Sequence, residues 1–408
     1  MSLRVLLFSS LFPSIARPRH GIFVETRLRQ LVREGGVDAR VIAPVPWFPS
    51  RAAMFGSYAR MAATPRRTTR DNGVQVAHPR YLMLPKLGVP FQPDSMARTA
   101  MTDVLALRRA GWTPQIIDAH YFYPDGVAAA LLAERLGLPF IVTARGTDIN
   151  VLGQQPMLAR RIVWAAERAA AVVAVSARLE DAMVAMGVSA SKIVVLRNGV
   201  DLELFALEEM QAARARLGLP GGRLAACVGN LVPEKGQSLA IDAIARLGDA
   251  QLVIVGDGPL RAELQEHARR LGVHERVRFV GNMPQTELHH LYAAIDALLL
   301  PSTREGWPNV VLEALACGTP VVASDVGAVR DMLTDPNVGR IVGPRDAQAF
   351  AAALTELWAA PTHREAIRRH ATQFDWASIS RAQMEIFTRA LAERRAPAAA
   401  TIAASTAG

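Results

Sequence analysis

The sequence predicts an α/β protein built from two doubly wound domains. Three observations carry that prediction. Short apolar, strand-like runs alternate with amphipathic helix-like segments along both halves of the chain, the pattern of a parallel sheet covered by helices. A chain of 408 residues that is half hydrophobic is long enough to bury two cores. Midway, the turn-forming run Asn198-Gly199-Val200-Asp201 follows a strand and marks a crossing point.

In the first half the strand-like runs are Val5 to Phe8, Val41 to Ala43, Ile116 to Asp118, Phe140 to Thr143, Ala171 to Val175 and Ile193 to Leu196. In the second they are Leu224 to Val228, Leu252 to Val255, Val277 to Val280, Leu298 to Leu300, Val321 to Ala323 and Arg340 to Val342. The expected domains are 1–198 and 199–374. A last helix, about 375–395, is expected to pack back on the first domain, and the alanine-rich 396–408 to form a disordered tail. Ligands of such sheets bind beyond the carboxyl ends of the strands, so a shared substrate is expected in a cleft between the domains.

No apolar run reaches the roughly 18 to 20 residues that span a bilayer. Val5 to Phe12 is short enough to imitate a signal-peptide core, but Pro13 to His20 is polar and basic with no small-residue cleavage site, so it reads as a first buried strand. Cys227 and Cys317 both fall in apolar patterns, as reduced cysteines of a cytoplasmic protein do. The net charge of +9 is concentrated in the first 200 residues, which hold 25 Lys and Arg against 13 Asp and Glu. That half should face an anionic partner. Residues 47–70 interleave Trp47, Phe48, Met54, Phe55, Tyr58 and Met61 with Arg51, Arg60, Arg66, Arg67 and Arg70. Positions 54, 55, 58, 61 and 62 share one helical face, which fits peripheral contact with an anionic membrane or packing on the chain's own domain.

The strand-end loops carry the chemistry. Gly21 precedes a helix and allows close backbone approach beside its N–H groups. His120, at the end of a strand, can donate to a sugar hydroxyl or move a proton. The loop Thr143 to Asp148 presents Arg145, a fixed fork for an anion, with Asp148 beside it; by the resemblance given below, both would lie on the acceptor side. In the second half Lys235 starts a helix after the turn Gly229-Asn230, where it can face a diphosphate. Gly256-Asp257-Gly258-Pro259 makes another tight turn. The third glycine of a dinucleotide fingerprint and a Walker lysine motif are both missing, which counts against a dehydrogenase or an NTPase. Between two strands, Leu298 to Val322 holds Arg304 and Glu305 in a loop, Pro308 opening a helix, then Asn309, Val310 and Glu313. Both glutamates lie near an N-terminus whose free N–H groups attract phosphate.

The ordered set of the Lys235-Gly236 turn, the Gly256 to Pro259 turn, and Glu305-x7-Glu313 running on into Ala314 to Val322 resembles glycosyltransferase family 4, with the GT-B fold. The resemblance reaches into the first half through His120, the Gly146 loop and Asn198 to Asp201. It implies a retaining transfer from a nucleotide sugar, without a metal or other cofactor. It also implies that Lys235 binds the donor diphosphate, Glu313 the ribose and Glu305 the transferred sugar. Backbone N–H groups around Asn309 and Val310 would meet sugar or phosphate, His120 the sugar, and Gly21 the diphosphate. The family often has arginine where Asn230 stands, leaving Lys235 as the main cation unless Arg304 assists, and often histidine where Arg145 stands. The expected acceptor is a glycan or lipid-linked glycan of surface polysaccharide biosynthesis, reached from the cytoplasmic face of the plasma membrane. Two other readings are a nucleotide-sugar epimerase on the same fold and a non-catalytic nucleic-acid-binding protein. No nucleic-acid module is present to support the second.

Overall fold

The computed structural model describes residues 2–405 apart from 19, 35, 53, 55 and 84–87. The chain forms two compact units, Met1–Arg197 with Ala377–Gly408, and Asn198–Trp376.

The first unit contains strands β1 Leu3–Phe8, β2 Val37–Ile42, β3 Val45–Pro46, β4 Arg67–Thr69, β5 Gln75–Ala77, β6 Arg80–Tyr81, β7 Ile116–His120, β8 Phe140–Thr143, β9 Ala171–Ala174 and β10 Ile193–Val195. Eight of them form one sheet in the order β10-β9-β8-β7-β1-β2-β5-β4, while β3 pairs with β6. Every pairing in the large sheet is parallel except β4 with β5. Each residue of β7, β8 and β9 is buried, as expected of central strands covered on both faces. Winding runs from β1 to β2 in one direction and from β7 to β10 in the other. The order therefore reverses between the paired strands β1 and β7, and the loops leaving their carboxyl ends flank a ready-made crevice.

The second unit has six strands: β11 Leu224–Val228, β12 Gln251–Val255, β13 Val277–Gly281, β14 Ala297–Leu300, β15 Val321–Ser324 and β16 Gly339–Val342. Their order is β13-β12-β11-β14-β15-β16, all parallel. Here the reversal lies between β11 and β14, so the loops carrying Lys235 and Glu305 leave adjacent strands.

The final helix, Trp376–Ser405, buries Ile386, Phe387 and Ala390. Its Gln383 donates to Asp118 at 2.9 Å and accepts from Arg27 at 2.5 Å, which ties this helix to the first unit. The helix is described as far as Ser405, over part of the run 396–408 that was expected as a disordered tail, and 406–408 lie outside the described residues.

Residues 47–70 hold the helix Gly56–Ala63 and the edge strand β4. Strands of two or three residues leave no readable period, which is why β3 to β6 escape the sequence. Of the proposed membrane-facing positions, Met61 and Ala62 are buried while Met54 is 86% exposed. Phe55 and the side chain of Tyr58 lie outside the description. Arg70 turns inward, pairing with Glu25 at 2.9 Å and lying over the Phe12 ring.

Candidate active site

At the β11/β14 switch of the second unit, two sequence-predicted residues 70 positions apart meet. Lys235 Nζ donates to Glu305 Oε1 at 2.6 Å, and the same oxygen accepts from Ser302 Oγ at 2.7 Å. Lys235 ends the short turn Pro233–Lys235, and Gly236, at φ 67°, then starts the helix Gln237–Ala245. A second pair borders the first, with Arg304 Nη2 3.6 Å from Glu234 Oε1. Lys235 and Arg304 each have a carboxylate partner, so an incoming phosphate must compete with a glutamate for either.

Beside this pair, the helix Asn309–Ala316 begins with no side-chain cap. The N–H groups of Asn309 and Val310 are therefore among those that helix geometry leaves without an intrahelical acceptor, the setting in which an anion binds. Asn309 Oδ1 accepts from Asn198 Nδ2 at 3.4 Å. Pro308, expected as the first helical residue, is instead the N-cap, because its ψ of 90° is non-helical.

Glu313 sits one turn in and is only 8% exposed. It accepts from the Tyr292 hydroxyl at 2.9 Å, and burial pushes its carboxyl up to about 7 against the opposing effect of that bond. Tyr292 is fully buried and its hydroxyl is pushed well above its ordinary range by burial and by Glu313.

The predicted glycines have packing reasons of their own. A Cβ on Gly256, at φ 133°, would lie 1.9 Å from the Gly229 carbonyl oxygen, and one on Gly258 would lie 2.5 Å from that of Leu231. The two strand-end turns thus pack backbone against backbone, joined by Leu231 N–H donating to the Asp257 carbonyl at 3.0 Å. Asn230 is exposed, and its carbonyl accepts from Gln237 Nε2 at 2.9 Å. In the first unit Gly21 is the N-cap of the helix Ile22–Arg33, and a Cβ there would meet the Leu11 carbonyl oxygen at 2.0 Å.

His120, also in the first unit, is 1% exposed. Arg145 Nη2 stands 2.5 Å from its Nδ1, and its Nε2 lies 3.3 Å from Asp118 Oδ2. A guanidinium can only donate, so Nδ1 is the acceptor and the single ring proton sits on Nε2 facing Asp118. Burial lowers His120 to about 4, with Asp118 opposing and Arg145 reinforcing the shift. Burial likewise lowers Arg145 to about 9, and its guanidinium lies over the Phe23 ring at 4.9 Å. Asp148 is wholly buried and accepts from the N–H groups of Phe122, Arg145 and Gly146 at 2.7, 3.0 and 2.8 Å. It fixes the loop that presents Arg145.

Sequence reasoning missed several partners: Ser302 on Glu305, Tyr292 on Glu313, and the buried Arg27–Gln383–Asp118 chain behind His120. Tyr292 alone left a local signal, as a tyrosine on the apolar side of the helix Gln285–Ala294. Glu208, His289 and His290 also gather in the second unit, with potential ligand atoms within 4.8 Å of one another. Glu208 Oε2 and His290 Nδ1 are 2.5 Å apart, so a carboxylate–imidazole pair accounts for that contact.

Residues 27–204 match Glycosyltransferase Family 4, and residues 209–374 match Glycosyl transferases group 1. The chain is 33% identical to the Bacillus subtilis protein TuaC, described as a teichuronic acid biosynthesis glycosyltransferase, over 86% of this chain and 88% of that one. It is 31% identical to a D-inositol 3-phosphate glycosyltransferase of Kribbella flavida, over 80% and 82%. Among solved structures it resembles sucrose-phosphate synthase of Thermosynechococcus elongatus, with TM-score 0.77, 20% identity and coverage of 96% and 100%. It also resembles Anabaena HepE in complex with UDP-glucose, with TM-score 0.70, 21% identity and coverage of 95% and 100%. These structures share the GT-B fold with the chain.

Proposed function

The chain belongs to glycosyltransferase family 4, among the group 1 glycosyltransferases, and from that premise we propose a retaining enzyme that transfers a sugar from a UDP- or GDP-linked donor. The acceptor in this reading is a glycan or lipid-linked glycan of surface polysaccharide biosynthesis. The observation that carries it is the Lys235–Glu305 pair beside an uncapped helix N-terminus at the β11/β14 switch. Lys235 and the N–H groups of Asn309 and Val310 supply countercharge for the departing diphosphate, so transfer needs no metal. Glu305, released from Lys235 by the incoming phosphate, holds the sugar, and Glu313 accepts from the ribose hydroxyls. The acceptor hydroxyl attacks from the face that the diphosphate leaves. The C–O bond to phosphate breaks as the new glycosidic bond forms, and the leaving phosphate takes the acceptor proton.

The names of the relatives support this reading. TuaC is described as a teichuronic acid biosynthesis glycosyltransferase and the Kribbella enzyme as a D-inositol 3-phosphate glycosyltransferase, while HepE was solved with UDP-glucose. Among the described residues no helix is long and apolar enough to cross a membrane. The reading places the chain at the inner face of the plasma membrane, with the exposed Trp47 and Met54 beside Arg51 and Arg60 as a peripheral contact. A thermal-shift screen of the purified chain against nucleotide sugars, followed by donor hydrolysis and product analysis, tests the proposal. Stabilisation by one donor and loss of most transfer in Lys235→Ala is the expected result. Near-normal turnover in that variant overturns the site assignment.

A further inference from the structure

In the second unit the carboxylate of Glu208 and the imidazoles of His289 and His290 come together, although Glu208 and His290 lie 82 positions apart in the chain. We propose that these three side chains bind one divalent transition-metal ion of the zinc type, a structural ion that joins the segment before the helix Met210–Leu217 to the helix Gln285–Ala294. The proposed sugar transfer uses none of the three, so the inference goes beyond that reading and does not rest on it.

The donor set selects the ion. Two imidazoles and a carboxylate suit zinc and its neighbours, whereas magnesium and calcium are held by oxygen atoms. Three protein ligands leave a fourth tetrahedral position to water. One ligand atom from each residue lies within 4.8 Å of the other two, and among the described residues no other three His, Cys, Asp or Glu side chains do so. Around a tetrahedral ion with bonds of about 2.0–2.2 Å, such atoms stand about 3.3–3.6 Å apart. Glu208 Oε2 and His290 Nδ1, at 2.5 Å, must therefore open by about 1 Å, and any wider separation must close by about as much. The two side chains are 21% and 16% exposed, which leaves them room to turn and an ion a way in from solvent.

The backbone that presents these ligands is held in place. Glu209 caps the helix Met210–Leu217, accepting from the N–H groups of Gln211 and Ala212 at 2.9 and 2.6 Å. Just before it, Arg368 donates to the Leu202 and Phe205 carbonyls at 2.9 and 2.7 Å. The helices Met210–Leu217 and Gln285–Ala294 pack through Ala213, Ala293 and Ala294. Little backbone remains to be ordered when an ion binds.

The ligands themselves are available. His289 and His290 are consecutive, yet their ring centroids are 3.7 Å apart, so both rings turn to one side of the helix. The Thr286 carbonyl acts on the His289 ring, but the buried Nδ1 makes no hydrogen bond of normal geometry, so that imidazole is not committed elsewhere. Between Glu208 Oε2 and His290 Nδ1, an ion takes the place of the shared proton. Arg216 stands 3.9 Å from the other oxygen, Oε1, and its exposed side chain is free to swing away from a second cation.

Calorimetry of Zn²⁺ against the full chain, prepared without a histidine tag and stripped with a chelator, tests the inference. One Zn²⁺ should bind per chain, and a large excess of Mg²⁺ or Ca²⁺ should not displace it. Glu208→Gln, His289→Ala and His290→Ala should each weaken binding about tenfold or more. His267→Ala, which removes the histidine of another carboxylate pair, should leave it unchanged. Saturating Zn²⁺ should raise the melting temperature of the wild-type chain and not that of His290→Ala. X-ray absorption at the zinc edge of the wild-type complex, which needs no variant, should show imidazole scattering. Absence of one-to-one binding, displacement by Mg²⁺ or Ca²⁺, affinity untouched by loss of either histidine, equal loss in His267→Ala, no thermal stabilisation, or no imidazole scattering overturns the inference.

Discussion

Lys235 Nζ and Glu305 Oε1, contributed by the loops after two adjacent strands, lie 2.6 Å apart. The lysine charge is therefore matched by a carboxylate, which a phosphate must replace in the proposed donor complex. Removing the lysine removes the main cation of the site, so Lys235→Ala should weaken UDP binding about tenfold or more, ~1.4 kcal/mol. Glu305→Gln frees that cation while removing the group assigned to the sugar. UDP affinity should hold or improve as transfer collapses, which calorimetry with UDP alongside turnover measurements would show. Equal loss of UDP affinity in both variants would falsify the competition.

The carboxyl of Glu313 is raised by burial to about 7, above its ordinary 4.5. The folded chain keeps this proton where the unfolded chain has lost it. Its contribution to stability is full below about 4.5 and is lost as pH rises through about 7. In the proposed donor site Glu313 accepts from ribose hydroxyls as the carboxylate, which is populated in the opposite sense, so nucleotide affinity should rise as pH passes about 7. In Glu313→Gln that dependence should vanish. Tyr292→Phe, which removes a bond favouring the carboxylate, should move its midpoint upward. Isothermal titrations across pH check all three.

Replacing Gly256 by alanine should destabilise the second unit by about 2 kcal/mol or more, since its Cβ would collide with the Gly229 carbonyl at a φ that alanine resists. Gly248→Ala is the matched control, with nothing within 4 Å of its Cβ. Thermal unfolding should separate the two. Similar melting temperatures would show that the turns can part without loss.

In the first unit, Arg145→Met removes a charge that lowers His120 and the donor that occupies Nδ1. The His120 pKa, about 4 in the intact chain, should rise in the variant. A histidine lowered from its ordinary 6.5 binds fewer protons folded than unfolded. Its contribution to stability is therefore full above about 6.5 and is lost as pH falls through about 4, and the variant should narrow that window. Imidazole NMR titration reads the pKa and the tautomer together.

Gln383→Ala should cost about 1–3 kcal/mol, because it removes a buried amide that bonds both Arg27 and Asp118. The loss should fall on the first unit, visible as reduced hydrogen-exchange protection of β7 with UDP binding unchanged.

All twelve strands read from the sequence are present in the two large sheets, because parallel strands with one or both faces covered write themselves as short apolar runs. Lys235, Glu305 and Glu313 were legible for a similar reason, since polar residues at strand ends and helix starts stand out against an apolar background. Their partners were not. Tyr292 reads as one more core residue of an apolar helix face, and Asp118 as an interruption within a strand.

By itself the sequence determined the α/β class, the rhythm of both sheets and the loops that leave their carboxyl ends, since these follow from local periodicity and turn chemistry. Tertiary structure alone decided which of those loops meet. Strand order sets β11 beside β14, so Lys235 pairs with Glu305 across 70 residues, and packing of the final helix on the first unit brings Gln383 to Asp118 across 265. The fold also decided two titrations: desolvation, which no spacing records, is the largest cause that lifts Glu313 and lowers His120.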